Sequence, residues 1–286
     1  MSKPLTSNNQ KLPPVWEELT GPDFVTAVKQ SGGVCILPIG VIEKHGAHLP
    51  LGTDVYTARD TALRAAGREY CIVYPFYFAG QIFEAGHQPG TIAYSSELIL
   101  KLLEETCKEI SRNGIKKIII VNGHGGNAFF LRYFCQTLLA KPKDYAVFLF
   151  QPSVDADTQA RIASMQTSTT GGHADEMESS LMMAIRPDLV KIELATSETG
   201  AYMRRLQIRN VYTGIWWYAG YPNHYAGYAK DANAALGEVS LEQSAAQLAG
   251  VIKAIKDDTA TQRLQQEFFE ESRSPLETQV KENEQS

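Results

Sequence analysis

The chain is 286 residues long, with 44% hydrophobic residues, 21% charged residues and a formal net charge of −5. That is the balance of an ordinary globular protein, and the length suffices to bury about three quarters of the surface its unfolded form exposes. The net negative charge supplies no broad basic field, which excludes a nucleic-acid partner held by phosphate neutralisation. The opening MSKPLTSNNQKLPP lacks the apolar stretch of a signal peptide, and no run of about eighteen apolar residues is present, so a cytoplasmic location with no membrane partner is expected.

Short apolar, β-branched runs alternate with amphipathic ones along the chain. VCILPI at 34–39 reads as a buried strand, followed by a helix over 54–67 with Thr53 or Asp54 as N-cap and Gly67 at its end. CIVYP at 71–75 is a second strand. A helix over 96–113 places Leu98, Ile99, Leu102, Leu103 and Ile110 on one face and stops at Gly114. KIIIV at 117–121 is a third strand, a helix runs from Asn127 to Pro142, and YAVFLF at 145–150 is a fourth strand. GGHADEMESS opens a further helix, SLMMAI, stopped by Pro187, and helix returns near 239–256. Strands alternating with helices of this length predict an α/β fold, three layers α/β/α around a mostly parallel sheet, over residues 1–256. Residues 257–286 carry eight acids against three bases and read as a charged helix or frayed tail. The four cysteines lie on apolar segments without C-x-x-C spacing, as buried free thiols would in a reducing compartment.

Open α/β sheets bind ligands at the carboxyl ends of their strands, and three motifs fall there. In VIEKHGAHLPLGTD, residues 41–54, Glu43 and His45 are one residue apart in extended chain, so both side chains point to one side. Asp54 returns after a Pro-Gly turn, either to the same spot or simply as a helix N-cap. GHGGN at 123–127 sets His124 in a Gly-rich turn between strand and helix. GHGGNA also fits a dinucleotide fingerprint, which keeps a nucleotide-binding oxidoreductase as an alternative, although no ribose-binding acid follows at the expected distance. HGG suggests an oxyanion loop as well, but no G-x-S-x-G elbow exists. His173, Glu176 and Glu178 cluster at a loop-to-helix junction, where first-turn acids also serve as partners of the helix dipole. Together two glutamates, one aspartate and two histidines at three strand ends supply the nitrogen and oxygen ligand set of a Zn, Mn or Fe site, binuclear with a bridging carboxylate, and such sites perform hydrolysis. The Tyr/Trp/Gly-rich stretch 212–228 reads as a pocket wall or as a subunit interface.

These segments resemble the creatininase (creatinine amidohydrolase) family. LPIGVIEKHGAHLPLGTD is similar to its LP-(I/V)-G-x-x-E-Q-H-G-x-H-L-P-L-x-T-D, VNGHGGN to its N-G-H-x-x-N, and HADEMESSLMMAIRPDLV to its H-A-G-E-x-E-T-S-L-M-L-A-x-x-P-x-x-V, with weaker similarity in GHQPGTIAYSSE and YPNHYAGYAKDANAALGE. The resemblance implies an α/β/α fold, a homo-oligomer that is often a hexamer, and two divalent ions per subunit (Zn, Mn or Fe). It further implies Glu43, His45, Asp54, His124 and Glu178 as ligands with Asp54 bridging, and His173 as proton shuttle beside a metal-bound hydroxide that attacks a small amide. Glu176 stands with His173 as a candidate catalytic residue, and a non-catalytic member of the family is the remaining alternative. Lys44, Asp175 and Ser179 depart from the family's Gln, Gly and Thr, and Gly126 stands where creatininases carry a further acid. MQTSTTGG lacks the tryptophans that clamp creatinine there, so the expected substrate is an amide, lactam, lactone, formamide or modified peptide end other than creatinine.

Overall fold

The structure is a computed structural model that describes residues 12–168 and 170–278. The segment read for a leader, residues 1–11, and residues 279–286 of the acidic tail lie outside the described residues. Four parallel strands form one sheet in the order β2-β1-β3-β4, with β1 at Val34–Ile39, β2 at Ile72–Val73, β3 at Lys117–Asn122 and β4 at Ala146–Leu149. The strands read as unbroken apolar runs because both faces of the sheet are covered. On one face Cys35, Leu37, Ile39, Ile118 and Ile120 pack against α1 (Gly21–Gln30), α3 (Ser96–Arg112) and α4 (Asn127–Thr137) through Ala27, Leu103, Ile110, Leu131 and Phe134. On the other, Val34, Ile36, Ile119 and Val121 meet α2 (Thr53–Arg68) through Ala58, Ala62, Ala65 and Ala66, and α8 (Ala234–Asp257) through Ala245, Leu248, Ile252 and Ile255. The expected three-layer parallel architecture is therefore present.

Element ends differ from the sequence expectation for local reasons. The second strand shrinks to two residues: Tyr74 N–H still reaches Ile36 O at 2.8 Å, but Pro75 has no N–H to continue the ladder. α8 begins earlier than expected because Asn233 caps it, accepting from Leu236 N–H at 3.0 Å. Helices α1, α5 (Ala156–Met165) and α7 (Trp216–Gly220) are additions, the first two capped by Thr20 and Asp155. α6 spans Glu176–Ile185, and within the charged tail α9 spans Ala260–Glu271 without a buried residue. The four cysteines are free thiols, and burial pushes Cys71 and Cys107 up to about 12. No helix among the described residues is long and apolar enough to cross a membrane.

The carboxyl ends of β1 and β3 are in register, Ile39 beside Asn122, and each strand is followed by a glycine. A Cβ on Gly40 would sit 2.4 Å from Val55 N, and one on Gly123 would sit 2.2 Å from Asp54 O. The first turn of α2 is thus wedged between the two strand ends, with main chain against main chain.

Candidate metal centre

Asp54 is not the N-cap of α2. Gly52 holds that position without a side-chain bond, Thr53 N–H reaches Pro50 O at 3.2 Å and Tyr56 N–H reaches Gly52 O at 3.0 Å. With those groups satisfied, the Asp54 carboxylate is free to turn into the strand ends. Its Oδ1 lies 3.0 Å from His45 Nε2, and its Oδ2 lies 3.1 Å from His124 Nδ1. Glu43 Oε1 lies 2.8 Å from the same His124 nitrogen, and Glu43 Oε2 accepts from His224 Nε2 and lies 3.8 Å from His173 Nε2. Glu178 Oε2 is 3.8 Å from His45 Nε2 and 3.9 Å from His173 Nδ1, and accepts the Ala174 N–H. Glu43, His45, Asp54, His124 and His173 are all buried.

Three overlapping groups of potential donors result, each with its atoms within 4.8 Å of one another: Glu43, Asp54 and His124; His45, Asp54 and Glu178; Glu43, His45 and His173. The first two share Asp54. The residues expected from the motifs at 43, 45, 54, 124, 173 and 178 are brought together, whereas Glu176 is not. Its buried carboxylate accepts the Thr167 N–H at 3.0 Å and the Ser168 N–H at 2.8 Å, tying that loop to α6. A first-turn acid with two unpaired backbone donors beside it is claimed by them, which removes the geometric ground for a catalytic Glu176.

The electrostatics fit a cation. Burial alone would strip the proton from His45, yet the charge and hydrogen bond of Asp54 raise it to about 10. Burial opposes the charged form of His124 too, and Glu43 and Asp54 hold it well above the usual imidazole range. Burial pushes Glu178 up to about 7. Buried imidazoles kept protonated by carboxylates mark a cluster short of positive charge, which a divalent ion supplies. Glu43 Oε1 and Asp54 Oδ2, which both face His124 Nδ1, are buried without a well-aligned hydrogen bond, as unused donors to an ion would be. The imidazole and carboxylate set suits Zn, Mn or Fe.

His224, Trp217 and His48 had no role assigned from the sequence, although His48 stands in the HGAHLP motif and His224 in the YPNHYAG segment. Trp217 Nε1–H donates to His224 Nδ1 at 2.9 Å, so His224 is a neutral imidazole whose Nε2–H orients Glu43. His224 and Ala174 have φ of 53° and 55°, left-handed conformations that cost a non-glycine residue energy and here flank the cluster. His48 Nε2 meets Ser179 Oγ at 2.9 Å behind the site. Two of the motif departures have structural work: Asp175 caps α6, accepting from Glu178 N–H at 3.0 Å and from Gly172 N–H at 3.0 Å, and Lys44 Nζ pairs with Glu198 at 2.8 Å. The cluster opens into a cavity of about 490 Å³ whose walls include Phe83, Glu84, Phe129, Tyr212, Trp216 and Trp217, so the 212–228 stretch contributes a pocket wall.

A parallel α/β/α sheet with a carboxylate and imidazole centre at the ends of β1 and β3 defines a class of protein fitted for metal-assisted chemistry. The family profile for creatininase, described as creatinine amidohydrolase, matches residues 17–252, and the chain belongs to that family. It is 26% identical over 190 residues to the creatinine amidohydrolase of Pseudomonas putida, covering 62% of this chain and 73% of that one. It is also 26% identical over 210 residues to the mycofactocin precursor peptide peptidase of Mycobacterium ulcerans, covering 70% of this chain and 71% of that one. A crystal structure of creatinine amidohydrolase superposes with a TM-score of 0.72 at 24% identity, over 87% of this chain and 100% of the other.

Proposed function

We propose that the protein is a binuclear-metal amidohydrolase that acts on a small amide, lactam or formamide other than creatinine. The observation that carries this reading is the carboxylate of Asp54, which faces His45 with one oxygen and His124 with the other and belongs to both donor groups. Glu43 and His124 would hold one ion and His45 and Glu178 the other, with Asp54 between them. Divalent ions there, when bound, supply a water of lowered pKa and an electrophile for a carbonyl oxygen. Solved relatives of the same fold are described as a Zn–Zn type and as a Mn creatininase, which supports a borderline divalent metal.

The chain's own groups do the rest. His173 Nε2–H donates to Lys44 O at 2.8 Å, which fixes the ring and leaves Nδ1 as the working atom. Burial, then the charge on His45, holds His173 well below the usual imidazole range, so it starts neutral and can take a proton and return it to a leaving nitrogen. His224, backed by Trp217, fixes Glu43. Relatives named as a peptide peptidase, an inosose hydrolase and a formylamino-pyrimidine deformylase show how widely substrates differ in the family, which supports a substrate other than creatinine. The proposal includes a single hydrolase domain over 1–256 with an appended charged segment, a homo-oligomer and a cytoplasmic setting.

The test is elemental analysis of protein purified without chelator, followed by reloading of the apoprotein with Zn, Mn or Fe and assay on an amide, lactam and formamide panel. About two ions per chain and metal-dependent hydrolysis are expected. Failure to retain metal after reloading refutes the reading, and so does creatinine turnover at an ordinary enzymic rate.

A further inference from the structure

The cavity over the metal centre has one carboxyl group that the proposed chemistry leaves unused. Its lining carries Glu43, Glu84, Glu178 and the imidazoles of His124, His173 and His224, with neither lysine nor arginine among the described lining residues. Glu43 and Glu178 face the histidines. Glu84 has no lysine or arginine partner in the cavity: it accepts a hydrogen bond from Gln81 Nε2 at 3.4 Å, and the His124 imidazole, across Gly126 from it, is neutral when it holds an ion. The turn that carries it, Phe83–Ala85, is fixed from below by buried Ile82 and Ala85 against Val41 and by Gln81, whose N–H reaches Asn127 Oδ1 at 2.8 Å. Glu84 is therefore presented by a packed element.

Gly126 decides where the Glu84 carboxylate can go. A Cβ at 126 would lie 2.5 Å from His124 Nε2 and 2.7 Å from Glu84 Oε1, so the missing side chain leaves room for this carboxylate next to the reaction centre. The same cavity is lined by Phe83, Phe129, Tyr212 and Trp216, all exposed. A carboxylate without a lysine or arginine partner, in a cavity lined by aromatic side chains, suits an organic cation, which gains both an ion pair and cation–π contacts.

We infer that Glu84 selects substrates whose far end, a few bonds from the amide, carries a cationic hydrogen-bond donor such as an ammonium, amidinium or guanidinium group. The inference rests on the amidohydrolase reading for the other half of the ligand, the amide over the metal centre. The same residue disfavours amides that end in a carboxylate.

The test uses an isosteric pair, β-alaninamide and butanamide, which differ by an ammonium in place of a methyl group. Binding of each to the metal-loaded full-length protein is measured by calorimetric titration, with wild type and Glu84→Gln compared at equal metal content. In wild type β-alaninamide is expected to bind roughly tenfold tighter. In Glu84→Gln the two affinities should come within about a factor of two of each other, and Glu84→Asp should recover part of the gap. Equal affinities in wild type, a gap that survives Glu84→Gln, or no binding of either amide at millimolar concentration would each overturn the inference. Hydrolysis is followed in the same samples: an intact charge preference without turnover counts for Glu84 as the selecting residue and against the hydrolase reading.

Discussion

Asp54 opens α2, and Glu176 and Glu178 open α6, yet the three acids meet different fates. In α2 Thr53 N–H is satisfied by Pro50 O and Tyr56 N–H by Gly52 O, and no side-chain cap is made. In α6 the cap comes from Asp175, Glu176 is taken by the backbone of Thr167 and Ser168, and Glu178 turns to His45. What separates Glu176 from its neighbours is thus that backbone N–H groups take both of its oxygens, whereas Asp54 and Glu178 each keep an oxygen facing a histidine, and neither acidity nor position in the helix reveals that.

The contrast breaks most visibly at Asp54. Asp54→Asn keeps the side-chain shape and removes its charge; elemental analysis should show the loss of at least one ion per chain while the circular dichroism of the fold persists, and full retention of metal would refute a bridging role. Next in size is His224→Gln, which takes away the orienting partner of Glu43: metal affinity by competition with a chelator should fall roughly tenfold or more, and an unchanged affinity would reduce His224 to packing. Glu176→Gln then sharpens the comparison from the other helix. Weaker acceptors for the Thr167 and Ser168 N–H groups should cost about 1–3 kcal/mol in denaturant unfolding with metal content unchanged; metal loss equal to that of Asp54→Asn would end the distinction.

The smallest expected effect is a pH dependence at His48. Burial holds its imidazole down to about 4, against an ordinary value near 6.5 when unfolded. Between those values the unfolded chain binds the proton and the folded chain does not, so the stability is present above about 6.5 and drains away as the pH falls toward 4. Thermal midpoints across that window should decline less steeply for His48→Gln than for wild type, and parallel curves would show that His48 does not contribute.

Much of the fold was legible because both-face burial leaves continuous apolar runs such as VCILPI and KIIIV, and because glycines and prolines punctuate the helices between them. The metal-competent residues at 43, 45, 54, 124 and 178 were legible because they crowd the strand ends and match a family pattern. Three things were not. The choice between N-cap and cluster for Asp54 depended on where α2 begins, with Gly52 rather than Asp54 at the cap position. Glu176 and Glu178 are two residues apart, and only the path of the 167–168 loop separates their roles. His224 sits in YPNHYAG with no spacing rule linking it to Glu43, 181 residues away; a buried histidine beside an indole donor is visible only in three dimensions.

Gly40 and Gly123 set a dimension as well as allowing a close approach. Because α2 meets β1 and β3 through backbone atoms, the offset between its Asp54 and the histidines on either side is fixed by van der Waals radii of the main chain rather than by side chains that can choose another rotamer. The gap between two ions in this centre would then be a property of the peptide scaffold, nearly independent of which metal fills it. Adding a single methyl group at either glycine would act like a shim under a lens, moving the focus of the whole centre while leaving every ligand in the sequence.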